Sequence, residues 1–170
     1  MADPALHPLA ERLQAVCIEA GLGVAIAESC TGGRVLDALT DLPGASAYVA
    51  GGIVAYADTA KEALLGVPRA VLEAHGAVSA QVAVAMAEGV RTRLAADVAA
   101  AVTGIAGPGG GTPAKPVGLA YVAVADAAGS AVRRMAWSGD REAYKAASTR
   151  AALELLLERA EARACVRRGA

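Results

Sequence analysis

Three residues of this chain have the types and surroundings needed for acyl transfer: Ser29, Lys61 and Tyr56. Ser29 lies within residues 27–33, Ala-Glu-Ser-Cys-Thr-Gly-Gly, where the apolar run 24–27 stops and a helix-like segment follows. A strand that enters a tight glycine-bearing turn and then a helix aims free backbone N–H groups, and a positive helix end, beyond the strand's carboxyl terminus. A serine hydroxyl at that junction reads as a nucleophile. Serine needs a base at neutral pH, and a lysine serves once burial or positive potential brings its pKa from about 10.4 toward roughly 7 to 8. Lys61 is the candidate. Tyr56, close before it in sequence, offers a phenol that both donates and accepts, suited to relay a proton to a leaving group or to hold Lys61 in line. The N–H groups of Cys30 and Thr31, with Gly32 behind them, are the candidate donors for a developing oxyanion.

A second set of residues suits ligand binding. The densest glycine and proline segment, residues 103–116, contains Thr103, Gly104, Gly107, Gly110, Gly111 and Thr112, and its composition resembles a phosphate cradle, because glycine lets successive N–H groups face an anion. It lacks the Gly-Lys-Ser/Thr ending of a P-loop and the spacing of a dinucleotide fingerprint. Lys115 would add a point charge for a phosphate, and Arg141 a bidentate clamp. Gly51 and Gly52 interrupt a strand and mark a bulge or a close backbone approach. Ser46 and Thr31 are further hydroxyls that would crowd the same pocket. Each residue also has a plainer reading: Ser29 as an N-cap, Lys61 as a solvated helix lysine, Tyr56 as a strand-end core ring, and Arg141 as a partner of Asp140 or Glu28. Cys30 is either a nucleophile favoured by a helix start or a small buried residue behind the turn. His75 reads as structural.

The elements that must position these residues follow from periodicity. Leu9, Leu13, Val16, Cys17 and Ala20 recur at helical spacing before Gly21. A strand over residues 22–27, a short helix over about 31–40 and a strand over 47–56 come next. Asp58 or Thr59 caps a small helix containing Lys61 and ending at Gly66, Pro68 opens another, and Ser79 caps a longer helix to about Ala95. A buried strand at 97–102, an antiparallel hairpin at 117–125 and 131–137, and a long helix from Asp140 complete the chain, with a frayed basic tail at Arg167 and Arg168. Five strands with one antiparallel pair predict an α/β fold, a mixed sheet covered on both faces. Ligands sit beyond the carboxyl ends of the parallel strands in such sheets, so the Ser29 turn, residues 56–61 and the glycine-rich loop converge there.

Composition sets the outer bounds. The 170 residues fit a single domain over the whole chain, 1–170, and the core is built from small aliphatics, since 55% of residues are apolar, 3% aromatic and none is Phe. A net charge of −1 argues against nucleic-acid or membrane-surface binding. Only three of the sixteen basic residues are lysines, which singles out Lys61, Lys115 and Lys145. Cys17, Cys30 and Cys165 with two histidines form no metal-ligand spacing, and neither a signal peptide nor a spanning segment is present, so cytoplasmic residence is the default. The alanine-rich surface suggests a homo-oligomer, with a dimer as the simplest case.

Residues 27–33, 42–46, 51–56, Lys61, 65–67, 76–79, 103–108, 110–112, 115–118 and 139–141, in order over nearly the whole chain, resemble the CinA carboxy-terminal domain family. The resemblance implies a three-layer α/β/α fold with a mixed five-stranded sheet, one strand antiparallel. It also implies hydrolysis of nicotinamide mononucleotide, a small-molecule nucleotide substrate, to nicotinate mononucleotide and ammonia in pyridine nucleotide salvage. A serine with lysine and tyrosine support maps onto Ser29, Lys61 and Tyr56, and no metal or organic cofactor is implied. The chain departs from the pattern at Trp137 and at Tyr144-Lys145, where Phe, and Ile or Val followed by Arg, are expected. The alternative to an amidohydrolase is a non-catalytic pyridine-nucleotide-binding or partner-docking module.

Overall fold

A computed structural model of the chain describes residues 4–169. The elements are α1 (His7–Ala20), β1 (Val24–Glu28), α2 (Arg34–Thr40), β2 (Val49–Val54), α3 (Asp58–Leu65), α4 (Arg69–His75), α5 (Ala80–Arg93), β3 (Val98–Gly104), β4 (Leu119–Asp126), β5 (Gly129–Ala136) and α6 (Arg141–Arg168). Local signals set most of these boundaries. Gly21, at φ 62°, ends α1 in the left-handed conformation that glycine tolerates. The Ser79 hydroxyl accepts the Val82 N–H at the start of α5, and Asp140 accepts the Ala143 N–H at the start of α6. α3 differs from expectation: Ala57 occupies its cap position, and neither Asp58 nor Thr59 caps it through a side chain.

The five strands form one sheet in the order β2-β1-β3-β4-β5. β1 runs parallel to both β2 and β3, whereas β4 is antiparallel to β3 and β5. β4 is therefore the one reversed strand of an open α/β sheet, as expected. β1 is entirely buried, a pattern that belongs to a parallel strand covered on both faces. Val24, Ile26, Val98, Ala100 and Val102 pack under α1, α2 and α6, while Ala25, Ala27, Ala99 and Ala101 pack under α3, α4 and α5. Alanines on the second face let α5 lie close to the sheet.

Two glycine positions explain how the layers approach. The register between β1 and β2 slips between Val24 and Ala25, so that Val24 faces Val49 but Ala25 faces Gly51. A Cβ on Gly52 would stand 3.0 Å from Leu36 of α2 and 3.1 Å from the Ile26 carbonyl, and one on Gly51 would stand 3.4 Å from Leu94. The close approach read from Gly51-Gly52 is thus made by packed leucines. On α5, a Cβ on Gly89 would lie 1.9 Å from the carbonyl oxygen of Leu65, so the end of α3 rests directly on the α5 backbone.

The long final helix is anchored at its far end. Arg167 donates to the carbonyls of Ala20 and Gly21 and pairs with Asp97, whose other oxygen accepts the Gly23 N–H at 2.7 Å. The expected fraying at Arg167 is corrected: three acceptors from the α1–β1 turn and the approach to β3 hold its guanidinium. Among the described residues no helix is long and apolar enough to cross a membrane.

Candidate active site

Parallel pairing brings three segments to one rim. Glu28, the last residue of β1, is in register with Val54 of β2 and with Val102 of β3. The ladder continues one step further, with the Ala55 N–H donating to Glu28 O at 2.8 Å and the Ser29 N–H to Val102 O at 3.0 Å. Residues 29–33, 55–61 and 105–112 therefore leave the sheet side by side at the carboxyl ends of its parallel strands.

The first segment is organised by a residue that sequence reasoning passed over. Glu28 is buried, and its carboxylate accepts the N–H groups of Gly33 (2.9 Å), Val35 (3.2 Å) and Leu36 (2.9 Å). The orphan donors and positive end of α2 are thus neutralised from within the fold. This corrects the expectation that the helix start faces a ligand. What remains free is the turn before it. Among the described residues, neither the Cys30 nor the Thr31 N–H donates a backbone hydrogen bond, and the Ser29 hydroxyl has no partner. Ser29 is 8% exposed and does not cap α2, whose cap position is Gly33. The Thr31 hydroxyl is buried without a partner beside it.

Lys61 faces inward. It is 1% exposed, and its Nζ donates to the backbone carbonyl of Tyr56 at 2.9 Å, with the exposed carboxylate of Asp58 at 3.5 Å. A lysine is rarely so buried. Tyr56 holds it through the main chain. The Tyr56 phenol belongs to a different contact: it is 62% exposed and accepts from Arg141 at 3.2 Å, while Arg141 also donates to Gly107 O at 2.9 Å. Arg141 thereby ties the start of α6 to the glycine-rich loop and to the segment just beyond β2, rather than pairing with Asp140 or Glu28 as its plainer reading had it.

The glycine-rich loop is packed largely against itself. A Cβ on Gly107 would meet Val117 at 2.6 Å, and one on Gly111 the Val117 backbone nitrogen at the same distance. Gly110 stands open, with Ile105 its nearest neighbour at 3.9 Å. Thr112 and Lys115 close a turn through their main chains, and the Thr103 hydroxyl donates to Ala77 O at 2.9 Å. The Lys115 ammonium is bound to the carbonyl of His75. Its charge therefore braces the loop against the end of α4. Ser46 is a further correction. It precedes Val49, which pairs with Val24 at the amino end of β1, so it lies across the sheet from Ser29 and cannot share its pocket.

Two residues of α6 complete the rim. Lys145 has no ion-pair or hydrogen-bond partner for its ammonium among the described residues, and it lies 3.6 Å from where a Cβ on Gly32 would stand. Tyr144 is buried, with its phenol oxygen 3.4 Å from Cys30 Sγ and 3.0 Å from Leu119 O. Burial pushes the Cys30 thiol up from its ordinary pKa, an effect that the Tyr144 contact offsets only in part. A buried thiol of that kind is a poor nucleophile. The signal for Lys145 was its rarity among arginines; for Glu28 it was a carboxylate preceding a helix start.

Comparison with known proteins agrees with this architecture. The CinA C-terminal domain family matches residues 6–160. A CinA-like protein of Geobacter sulfurreducens is 52% identical over 141 residues, which cover 83% of this chain and 34% of that protein. One from Mycolicibacterium paratuberculosis is 54% identical over 142 residues, covering 81% and 33%. The chain thus spans about a third of the length of the curated relatives it matches. Among solved structures, a competence/damage inducible protein of Agrobacterium tumefaciens superposes with a TM-score of 0.90 at 42% identity, covering 93% of this chain and 97% of that one. A competence-damaged protein superfamily member of Escherichia coli superposes at 0.87 with 35% identity, covering 93% and 92%.

Proposed function

This chain belongs to the CinA C-terminal domain family, and from that premise we propose that it hydrolyses the carboxamide of nicotinamide mononucleotide to nicotinate mononucleotide and ammonia. The observation that carries the reading is the buried Lys61 amine, held by the carbonyl of Tyr56 just beyond the end of β2, while neighbouring β1 leads into an unpartnered Ser29 hydroxyl. A solvated helix lysine would instead extend into water.

In this mechanism the neutral Lys61 amine takes the Ser29 proton as Ser29 Oγ bonds to the carboxamide carbon, and the carbonyl electron pair moves onto oxygen. The free N–H groups of Cys30 and Thr31 receive that oxyanion, where donors aimed at developing charge are worth about 3 to 4 kcal/mol each. Collapse breaks the C–N bond, and Lys61 returns its proton to the departing ammonia. Water then attacks the ester, again through Lys61, and releases the carboxylate. Tyr56 contributes its carbonyl, which fixes Nζ; its phenol is engaged with Arg141, so proton delivery falls to Lys61. The substrate phosphate pairs with Lys145, the cation of this rim without a partner, because Lys115 and the start of α2 are already occupied.

The test is ammonia release from nicotinamide mononucleotide and from nicotinamide riboside, by wild type and Ser29→Ala. Wild type turns over the nucleotide and loses both kcat and affinity on the riboside, since a remote binding group also orients the reacting carbon. Ser29→Ala loses at least about a thousandfold. Full turnover by Ser29→Ala removes the nucleophile. Equal rates on both substrates point instead to an amidase for another small amide.

A further inference from the structure

A large buried side chain near the reactive turn that the mechanism leaves unused is Tyr144. It enters from the first turns of α6, which Asp140 fixes by accepting the N–H groups of Ala143 and Tyr144. Its phenol reaches across the end of β3 to Cys30 in the turn and to Leu119, the first residue of β4. That reach depends on Gly104, where a Cβ would lie 2.0 Å from the phenol oxygen.

The phenol has one proton and two neighbours. The phenol O–H is the donor toward both Leu119 O at 3.0 Å and Cys30 Sγ at 3.4 Å, the carbonyl being the shorter contact. The burial that raises the thiol's pKa keeps its proton in place. Three elements are joined in this way, and the joint falls on the residue whose own peptide N–H faces the oxyanion.

We propose that Tyr144 is a positioning residue for acyl transfer, holding Cys30 against β4 and so fixing the Cys30 and Thr31 N–H groups where the oxyanion forms. The inference rests on the Ser29 acyl-enzyme reading. Oxyanion donors are sensitive to displacements well below 1 Å, and an error of that size costs up to about a hundredfold. A brace removed with its ring left in place should therefore cost rate and leave substrate affinity alone.

Tyr144→Phe is the suitable variant, because Leu119 O keeps its bond from the Ile105 N–H at 2.8 Å and no backbone group is orphaned. Three measurements are made on wild type, Tyr144→Phe, Cys30→Ala and the double variant: melting temperature, the rate at which a fluorophosphonate modifies Ser29 by intact mass, and kcat and KM for ammonia release. Tyr144→Phe and Cys30→Ala each slow Ser29 modification and kcat about tenfold with KM within twofold, and the double variant is no slower than either single one. A Tyr144→Phe protein that melts lower yet modifies Ser29 at the wild-type rate overturns the proposal, as do effects that multiply in the double variant. Wild type that is modified at Ser29 yet releases no ammonia sinks the substrate reading and leaves Tyr144 to be decided by the modification rates. Absence of Ser29 modification in wild type removes the nucleophile and Tyr144's role with it.

Discussion

At the scale of single residues, the turn after β1 depends on a carboxylate as much as on the serine. Glu28 offers two oxygens to three N–H groups, and glutamine would turn an amide donor toward at least one of them. Glu28→Gln is expected to lose about 2 kcal/mol of stability, since charge-assisted bonds are lost and a buried donor is left unpaired; urea denaturation measures this. Cys17 supplies the pH dependence. Burial first, and the nearby charge of Asp97 second, push its thiol from 9.0 up to about 12. A pKa raised on folding means that the native state keeps a proton the unfolded chain has released. The stability this contributes is complete below pH 9 and is lost as pH rises from there toward 12. Between pH 8 and pH 10, denaturation should show a total fall of about 1.4 kcal/mol for this one proton, and Cys17→Ala should remove that share.

At the scale of elements, α3 matters because it carries Lys61, and its seat is the bare backbone of α5 at Gly89. The Leu65 carbonyl occupies the place of any side chain there, and a backbone atom cannot swing away as a side-chain tip can. Gly89→Ala is expected to cost about 3 kcal/mol or more and to lower turnover beyond the loss of folded protein, because α3 must shift against α5 and take Nζ with it. Thermal melting and kcat per folded molecule separate the two effects. Mutation of Gly66, at the end of the same helix, has no such contact to break, since a Cβ there meets nothing within 4 Å; only its left-handed φ of 67° resists substitution.

At the scale of the molecule, the candidate site and the anchoring of α6 occupy opposite ends of one sheet. The Ser29 rim lies at the carboxyl ends of the parallel strands, and the Arg167–Asp97–Gly23 cluster at their amino ends, a five-residue strand or about 17 Å away. Arg167→Ala removes bonds to two carbonyls and a carboxylate, so it should cost about 1 to 2 kcal/mol. Hydrogen exchange in the turn between α1 and β1 should accelerate, while Ser29 reactivity stays as in wild type. A change in Ser29 reactivity would mean that the sheet transmits strain along its length.

The sequence by itself determined whatever is decided within a few residues. Gly21, Ser79 and Asp140 mark helix ends because left-handed turns and side-chain caps are local events, and the buried alanine and valine runs mark parallel strands because both of their faces are covered. Ser29 stood out because a strand, a hydroxyl and two glycines follow one another directly. Only the tertiary structure decided which atom of a residue is used and for what. Lys61 is held by the carbonyl of Tyr56, Arg141 grips residues 34 and 85 positions away, Lys115 meets His75, and Tyr144 reaches Cys30 across 114. Those contacts depend on how far each helix is rotated and shifted over the sheet. Packing of whole faces sets that, and no short stretch of sequence contains it.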